Sequence, residues 1–161
     1  MELTPKEIKM IVDKSIENAR GSMLPAEEVV LDLIIEHGII SQQDIVRSKP
    51  WLGSHPTHET LGKKTTTRKV RTLIQKLIVD HGIPICSSQK NPIGFFFPKT
   101  QDDIDAEKAM KEGRARKYLQ TAFEVMTAFE KAFDIELKSD FLIKFDKDEL
   151  FYESDSSNSA D

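Results

Sequence analysis

The chain has 161 residues, 39% of them hydrophobic and 31% charged, with a net charge of −4 and one cysteine. That length allows one domain with extensions or two very small domains, and a lone cysteine excludes an internal disulfide and suits a reducing compartment. No apolar run approaches the roughly 18–20 residues of a membrane span, and "MELTPKEIKM" lacks a signal-peptide core, so a cytoplasmic protein with no membrane partner is expected.

The net charge hides an asymmetry. Residues 1–40 carry four basic and eight acidic side chains, for −4. Residues 41–100 carry ten basic and three acidic, for +7. Residues 101–161 carry nine basic and sixteen acidic, for −7. A basic middle between acidic ends points to an anionic partner for the middle segment.

In chain order, Thr4-Pro5-Lys6-Glu7 is a helix start: Thr4 caps, Pro5 suits the first helical position and Glu7 completes a capping box. Ile8, Ile11, Val12, Ile16 and Ala19 follow at helical spacing, and Gly21 ends the helix. A second helix runs from Pro25 to Gly38, with Val29, Val30, Leu33 and Ile34 inward. A third, short one opens at Ser41 and ends near Ser48, closed by Pro50. The stretch from Lys49 to Lys64, with two prolines and two glycines, has no periodicity and is expected as a long loop.

The fourth helix is expected from about Thr66 to His81, with Gly82 as its stop. Val70, Leu73, Ile74 and Leu77 form its apolar stripe, while Arg68, Thr72, Gln75 and Lys76 fall opposite, with Thr65 and Lys69 at the margin. Then "GIPICSSQKNPIGFFFPK" alternates, turns and becomes β-prone. This predicts a hairpin: a strand from Ile83, a tip at Ser87–Asn91 and a second strand over Ile93–Phe97. Ile83, Ile85, Ile93, Phe95 and Phe97 are its candidate anchors.

At the residue level, Arg68-x-Val70-Arg71, Gly82-Ile83-Pro84-Ile85, the pair Ser87-Ser88, and Gly94 before Phe95 and Phe96 resemble winged helix-turn-helix domains common among phage and prophage DNA-binding proteins. The resemblance covers about residues 25–100. One departure is the 49–64 loop, longer than the tight turn such a domain places before its recognition helix.

The resemblance implies a mainly α fold with a small β-hairpin wing, and binding of double-stranded DNA by occupancy, as a transcriptional regulator or replication factor. The fourth helix would enter the major groove. The expected contacts are Lys63, Lys64, Thr65, Thr66, Thr67, Arg68, Lys69, Thr72, Gln75 and Lys76 from the helix and its approach, and Ser87, Ser88, Gln89, Lys90 and Asn91 from the wing. Hydroxyls and free N–H groups at the helix start suit phosphates. Arg71, close to the apolar stripe, has two readings: a DNA contact, or an ion-pair partner for Glu28 or Asp32. The rival function is a winged-helix protein-interaction adaptor in a replication or transcription complex.

Other chemistries have less behind them. His55, His58, His81 and Cys86 are zinc-type ligand types, but their spacing matches no finger, so no metal and no cofactor is expected. Cys86 is expected as a small buried strand residue. No nucleophile elbow, P-loop or Gly-rich dinucleotide turn occurs, so no enzymatic activity is expected.

A long helix is expected from Gln101 to about Ile135. Tyr118, Ala122, Val125, Phe129 and Ala132 recur at 4-3-4-3 spacing and are the candidate dimerisation stripe, widened by Leu119, Phe123, Met126 and Phe133. The alternatives are a homodimer built from both terminal helices or an intramolecular core. The organisation is then an N-terminal helix (1–21), a winged-helix domain (22–100), the long helix (101–138) and an acidic, largely disordered tail (139–161). That tail, with aromatics among its acids, suits a protein partner or masking of the basic face.

Overall fold

The computed structural model describes residues 2–53 and 67–152. The chain divides into two compact units, residues 1–107 and 108–161. The boundary falls inside the long helix, not before it.

The first unit is helical with one small sheet. Helix α1 spans Pro5–Ala19, α2 Pro25–His37 and α3 Gln42–Ser48, followed by a 3-10 turn over Pro50–Leu52; α4 spans Arg68–Val79. The expected starts are in place. The Thr4 hydroxyl accepts the Glu7 N–H at 3.3 Å while Glu7 accepts the Thr4 N–H at 2.8 Å, a reciprocal cap. The Ser41 hydroxyl accepts the Asp44 N–H at 3.1 Å. Accepting the Ser41 hydroxyl proton holds the Asp44 carboxyl below its ordinary range, with Arg47 adding to the effect.

Helix α4 closes in an αL turn at Gly82. Ile83 N–H donates to the Leu77 carbonyl and Gly82 N–H to that of Ile78. Gly82 takes φ +67, a left-handed conformation that glycine adopts without a Cβ penalty. Buried Ile83 then turns the chain back onto the core.

Strands β1 (Ile39–Ile40), β2 (Cys86–Ser88) and β3 (Gly94–Phe96) form an antiparallel sheet in the order β1-β3-β2. The hairpin pairs Cys86 with Phe96, Ser87 with Phe95 and Ser88 with Gly94. β1 is an addition to the expected hairpin: Ile39 pairs with Phe96 and Ile40 with Phe95. The first hairpin strand also starts later than the alternation suggests. Ile83 and Ile85 are buried but lie outside the ladder, because pairing begins at Cys86. Gly94 lets β1 come close: a Cβ there would lie 2.6 Å from the Ile40 carbonyl carbon and oxygen.

One apolar cluster joins Ala19, Val30, Leu31, Ile34, Ile40, Ile45, Leu52, Val70, Leu73, Ile74, Leu77, Ile83 and Ile85, with Phe95 and Phe97 packed against it. Of the expected hairpin anchors, Ile93 is exposed. The three successive phenylalanines are all half-buried. Cys86 is buried, as expected. The open edge of β2 is covered from α5 (Gln101–Phe133): the Ser87 N–H donates to Glu107 at 2.9 Å, which blunts an edge that would otherwise recruit another strand.

The second unit is the rest of α5 and the segment after it. Asp134, at φ +52, ends the helix. The following residues depart from the expected disordered tail: a 3-10 turn over Leu142–Lys144 and α6 (Lys147–Tyr152) bury Leu142 and Leu150. Arg116 donates to the Glu149 carbonyl at 3.2 Å, and Gln120 donates to that of Leu150. Leu119, Phe123 and Met126 of α5 are thereby half-buried. Residues 153–161 lie outside the described residues. Among the described residues, no helix is long and apolar enough to cross a membrane.

Candidate nucleic-acid interface

Helix α4 turns one face into the core and the other outward. Val70, Leu73, Ile74 and Leu77 are buried. At about 100° per residue, the outward centre holds Arg68, Thr72 and Gln75, with Lys69 and Lys76 on one flank and Arg71 on the other. All six are exposed. Packing of α4 against α2 and α3 fixes this orientation.

Sequence expectation and structure agree on where Arg68, Lys69, Thr72, Gln75 and Lys76 stand. Thr67 sits at the N-cap position, where with φ −95 and ψ 9 its side chain makes no capping bond. Thr72 gives its hydroxyl proton to the Arg68 carbonyl at 3.1 Å. Lys63, Lys64, Thr65 and Thr66, like His55 and His58, lie outside the described residues.

Of the two readings of Arg71, the ion pair with Glu28 or Asp32 is not formed. Asp32 is engaged by Arg20 at 2.7 Å. Arg71 is exposed, and it forms no ion pair among the described residues. It therefore adds a cation to the outward face.

The hairpin tip is narrower than expected. Ser87 and Ser88 belong to β2 and are half-buried. Ser87 is drawn toward Glu107, and the Ser88 hydroxyl donates to the Lys90 carbonyl at 2.7 Å, closing the turn. The exposed tip is Gln89, Lys90 and Asn91, followed by a cis Asn91–Pro92 bond.

Trp51 was not among the expected contacts. It is exposed, and the Lys69 ammonium stands 5.5 Å from its ring centroid, a cation–π distance that restrains the lysine. Local sequence carried no sign of this pairing, because eighteen positions separate the two residues.

Behind the face is a polar clasp. Glu27, 3% exposed, accepts the Leu24 N–H at 2.9 Å and meets His81 Nε2 at 2.8 Å. His81 Nδ1 lies 3.4 Å from the Ser22 hydroxyl. Burial pushes the Glu27 carboxyl upward, but the Leu24 amide, His81 and Lys76 outweigh it and hold it below its ordinary value. This serine–histidine–carboxylate set is a lock between the start of α2 and the end of α4. The Ser22 hydroxyl donates to the Ala19 carbonyl at 3.1 Å, so its proton is engaged away from the imidazole. His81 is held by Glu27 and Cys86 is buried; among the described residues no group of three or more His, Cys, Asp or Glu is placed to hold a metal.

No family model matches the sequence, and comparisons with curated proteins and with solved structures return no match.

Proposed function

We propose that the protein binds double-stranded DNA through α4 and the hairpin tip, as a winged helix does, and acts by occupancy as a transcriptional regulator or phage-type replication factor. The observation that carries this reading is the outward face of α4: three cations and two hydrogen-bonding side chains (Arg68, Lys69, Lys76, Thr72, Gln75), joined by Arg71, on a helix anchored by four buried apolar residues. A helix of this kind fits the major groove, where arginine suits guanine and glutamine suits adenine, while flanking cations meet phosphates.

Two further features support the reading. The order of a helix, a short capped helix, the basic helix α4 and a β-hairpin is the one expected for a winged helix and supports that reading. Lys90 at the hairpin tip and Lys69 over Trp51 extend the positive surface beyond the helix. No enzymatic step or cofactor is needed for such a role.

The rival reading, a protein-interaction adaptor, draws on Val79 at the outward end of α4 and on Ile93 beside the tip, both exposed. A gel-shift titration with random-sequence duplex separates the two. Binding by wild type, abolished by the double reversal Arg68→Glu/Lys69→Glu, supports DNA. Absence of any shifted complex at low salt overturns it and favours the adaptor.

A further inference from the structure

The open surface of the second unit is apolar. Tyr118 is 79% exposed, Val125 50%, Phe129 52% and Phe133 66%. At about 100° per residue these four, with Ala122 and Ala132, fall within roughly 100° of arc on α5. The neighbouring stripe of Leu119, Phe123 and Met126 is half-buried, covered as Leu142 and Leu150 pack in. α6 and the turn before it therefore cover one stripe and leave the other open. The Phe129 and Phe133 rings stack 5.8 Å apart at the end of the open one.

Tyr118, Phe129 and Phe133 alone expose on the order of 400 Å², taking about 200 Å² for a whole aromatic side chain. That matches the largest apolar patch of a typical monomer, about 300–600 Å². Doubled across a two-fold axis, with Val125 and the alanines added, it approaches the roughly 1,000 Å² that a specific interface needs.

Charge identifies the occupant. N-terminal to Tyr118, the same face of α5 continues as Lys111 and Arg114, and residues 108–117 hold five basic side chains against one acidic. Past its centre the polarity reverses: residues 118–140 hold two basic against five acidic, among them Glu136. The helix C-terminus adds its own negative end. A surface that is basic at one end, apolar in the middle and acidic at the other is complementary to itself only when reversed.

We infer that residues 108–136 form an antiparallel, two-fold interface with a second copy of this chain. With Tyr118 of one copy beside Phe129 of the other, Ala122 meets Val125, and Lys111 lies past the end of the partner helix at Phe133, toward the acidic segment that holds Glu136. The small alanines allow close approach at the centre. A parallel pair would instead set Lys111 and Arg114 against their own copies. The interface is isologous, so it closes at two chains. It is independent of what α4 binds, and two linked α4 faces would engage an extended ligand more tightly than one.

Sedimentation equilibrium on the full chain without nucleic acid tests this. The expected mass is twice the 18.3 kDa of one chain. Tyr118→Glu/Phe129→Glu, both at exposed positions, should weaken association about tenfold or more with an unchanged circular dichroism spectrum. Orientation is read by charge exchange: Lys111→Glu and Glu136→Lys each weaken the pair, and the double exchange restores it. A double exchange as weak as either single variant overturns the antiparallel arrangement. A wild-type mass of 18.3 kDa at high micromolar concentration overturns the interface itself.

Discussion

In residues 2–53 and 67–107, isoleucines, leucines and valines from α2 to α4 and the sheet meet in one cluster with Ala19 of α1, the starts of α1 and α3 are capped, and Glu27 and His81 clasp α2 to the end of α4. In residues 108–152, a long helix offers two apolar stripes and only Leu142 and Leu150 become buried. The first unit buries one core and leaves the polar, cationic face of α4 outside, although Met10, Leu24, Val79 and Ile93 are exposed as well. The second leaves an apolar face outside. The contrast teaches that the two surfaces differ in chemistry, cationic in the first and apolar in the second, and the two proposals assign them different partners.

Substitutions sharpen the contrast. Leu77→Ala, at a fully buried position of α4, should cost the first unit about 2–5 kcal/mol in urea unfolding, from lost transfer energy plus a cavity. Glu27→Ala should cost about 2–3 kcal/mol, because His81 and the Leu24 amide lose a charged acceptor. The same carboxylate gives a pH signature. Its pKa is lowered on folding, so its contribution is complete above its ordinary value of 4.5 and is lost as pH falls through the depressed value. Melting curves between pH 7 and pH 3 should show a smaller acid loss in Glu27→Gln than in wild type; equal losses would remove Glu27 from the clasp.

Gly94→Ala should destabilise by about 1–3 kcal/mol, since the new methyl meets the Ile40 backbone, and thermal unfolding checks it. The smallest effect is expected in the second unit: Phe129→Ala should change unfolding of the dilute chain by less than about 0.5 kcal/mol. A loss there as large as that of Leu77→Ala would mean that the α5 face is core, and the comparison would break.

Much of the first unit was legible because its signals are local. Thr4, Ser41 and Gly82 mark their boundaries with side chains or backbone freedom that act within a few residues. The stripe on α4 fixes its outward face in the same way. What was not legible depends on distant partners. Ile39–Ile40 is too short to announce a strand and becomes one only by pairing with β3. Ile83 and Ile85 alternate like a strand, yet the register starts at Cys86. Ser87 looks like a tip residue until Glu107, twenty residues away, takes its amide.

The Glu27–His81 pair spans 54 positions and has no local signature. The segment after Ser139 looks like an acidic tail because its order comes from Arg116 and Gln120, far back on α5. Within the candidate interface, the Trp51–Lys69 contact and the Arg20–Asp32 ion pair emerged only once distant elements were in place.

The central claim is that the outward face of α4 meets the phosphates and bases of a duplex. Fluorescence polarisation with a labelled random duplex, repeated across a salt series, tests it most directly. The expected result is an affinity that falls steeply, with a log–log slope of about 0.9 per phosphate contacted, and a slope smaller by about one when Lys69 or Lys76 alone becomes alanine. An affinity independent of salt, or a slope unchanged by both substitutions, would contradict it.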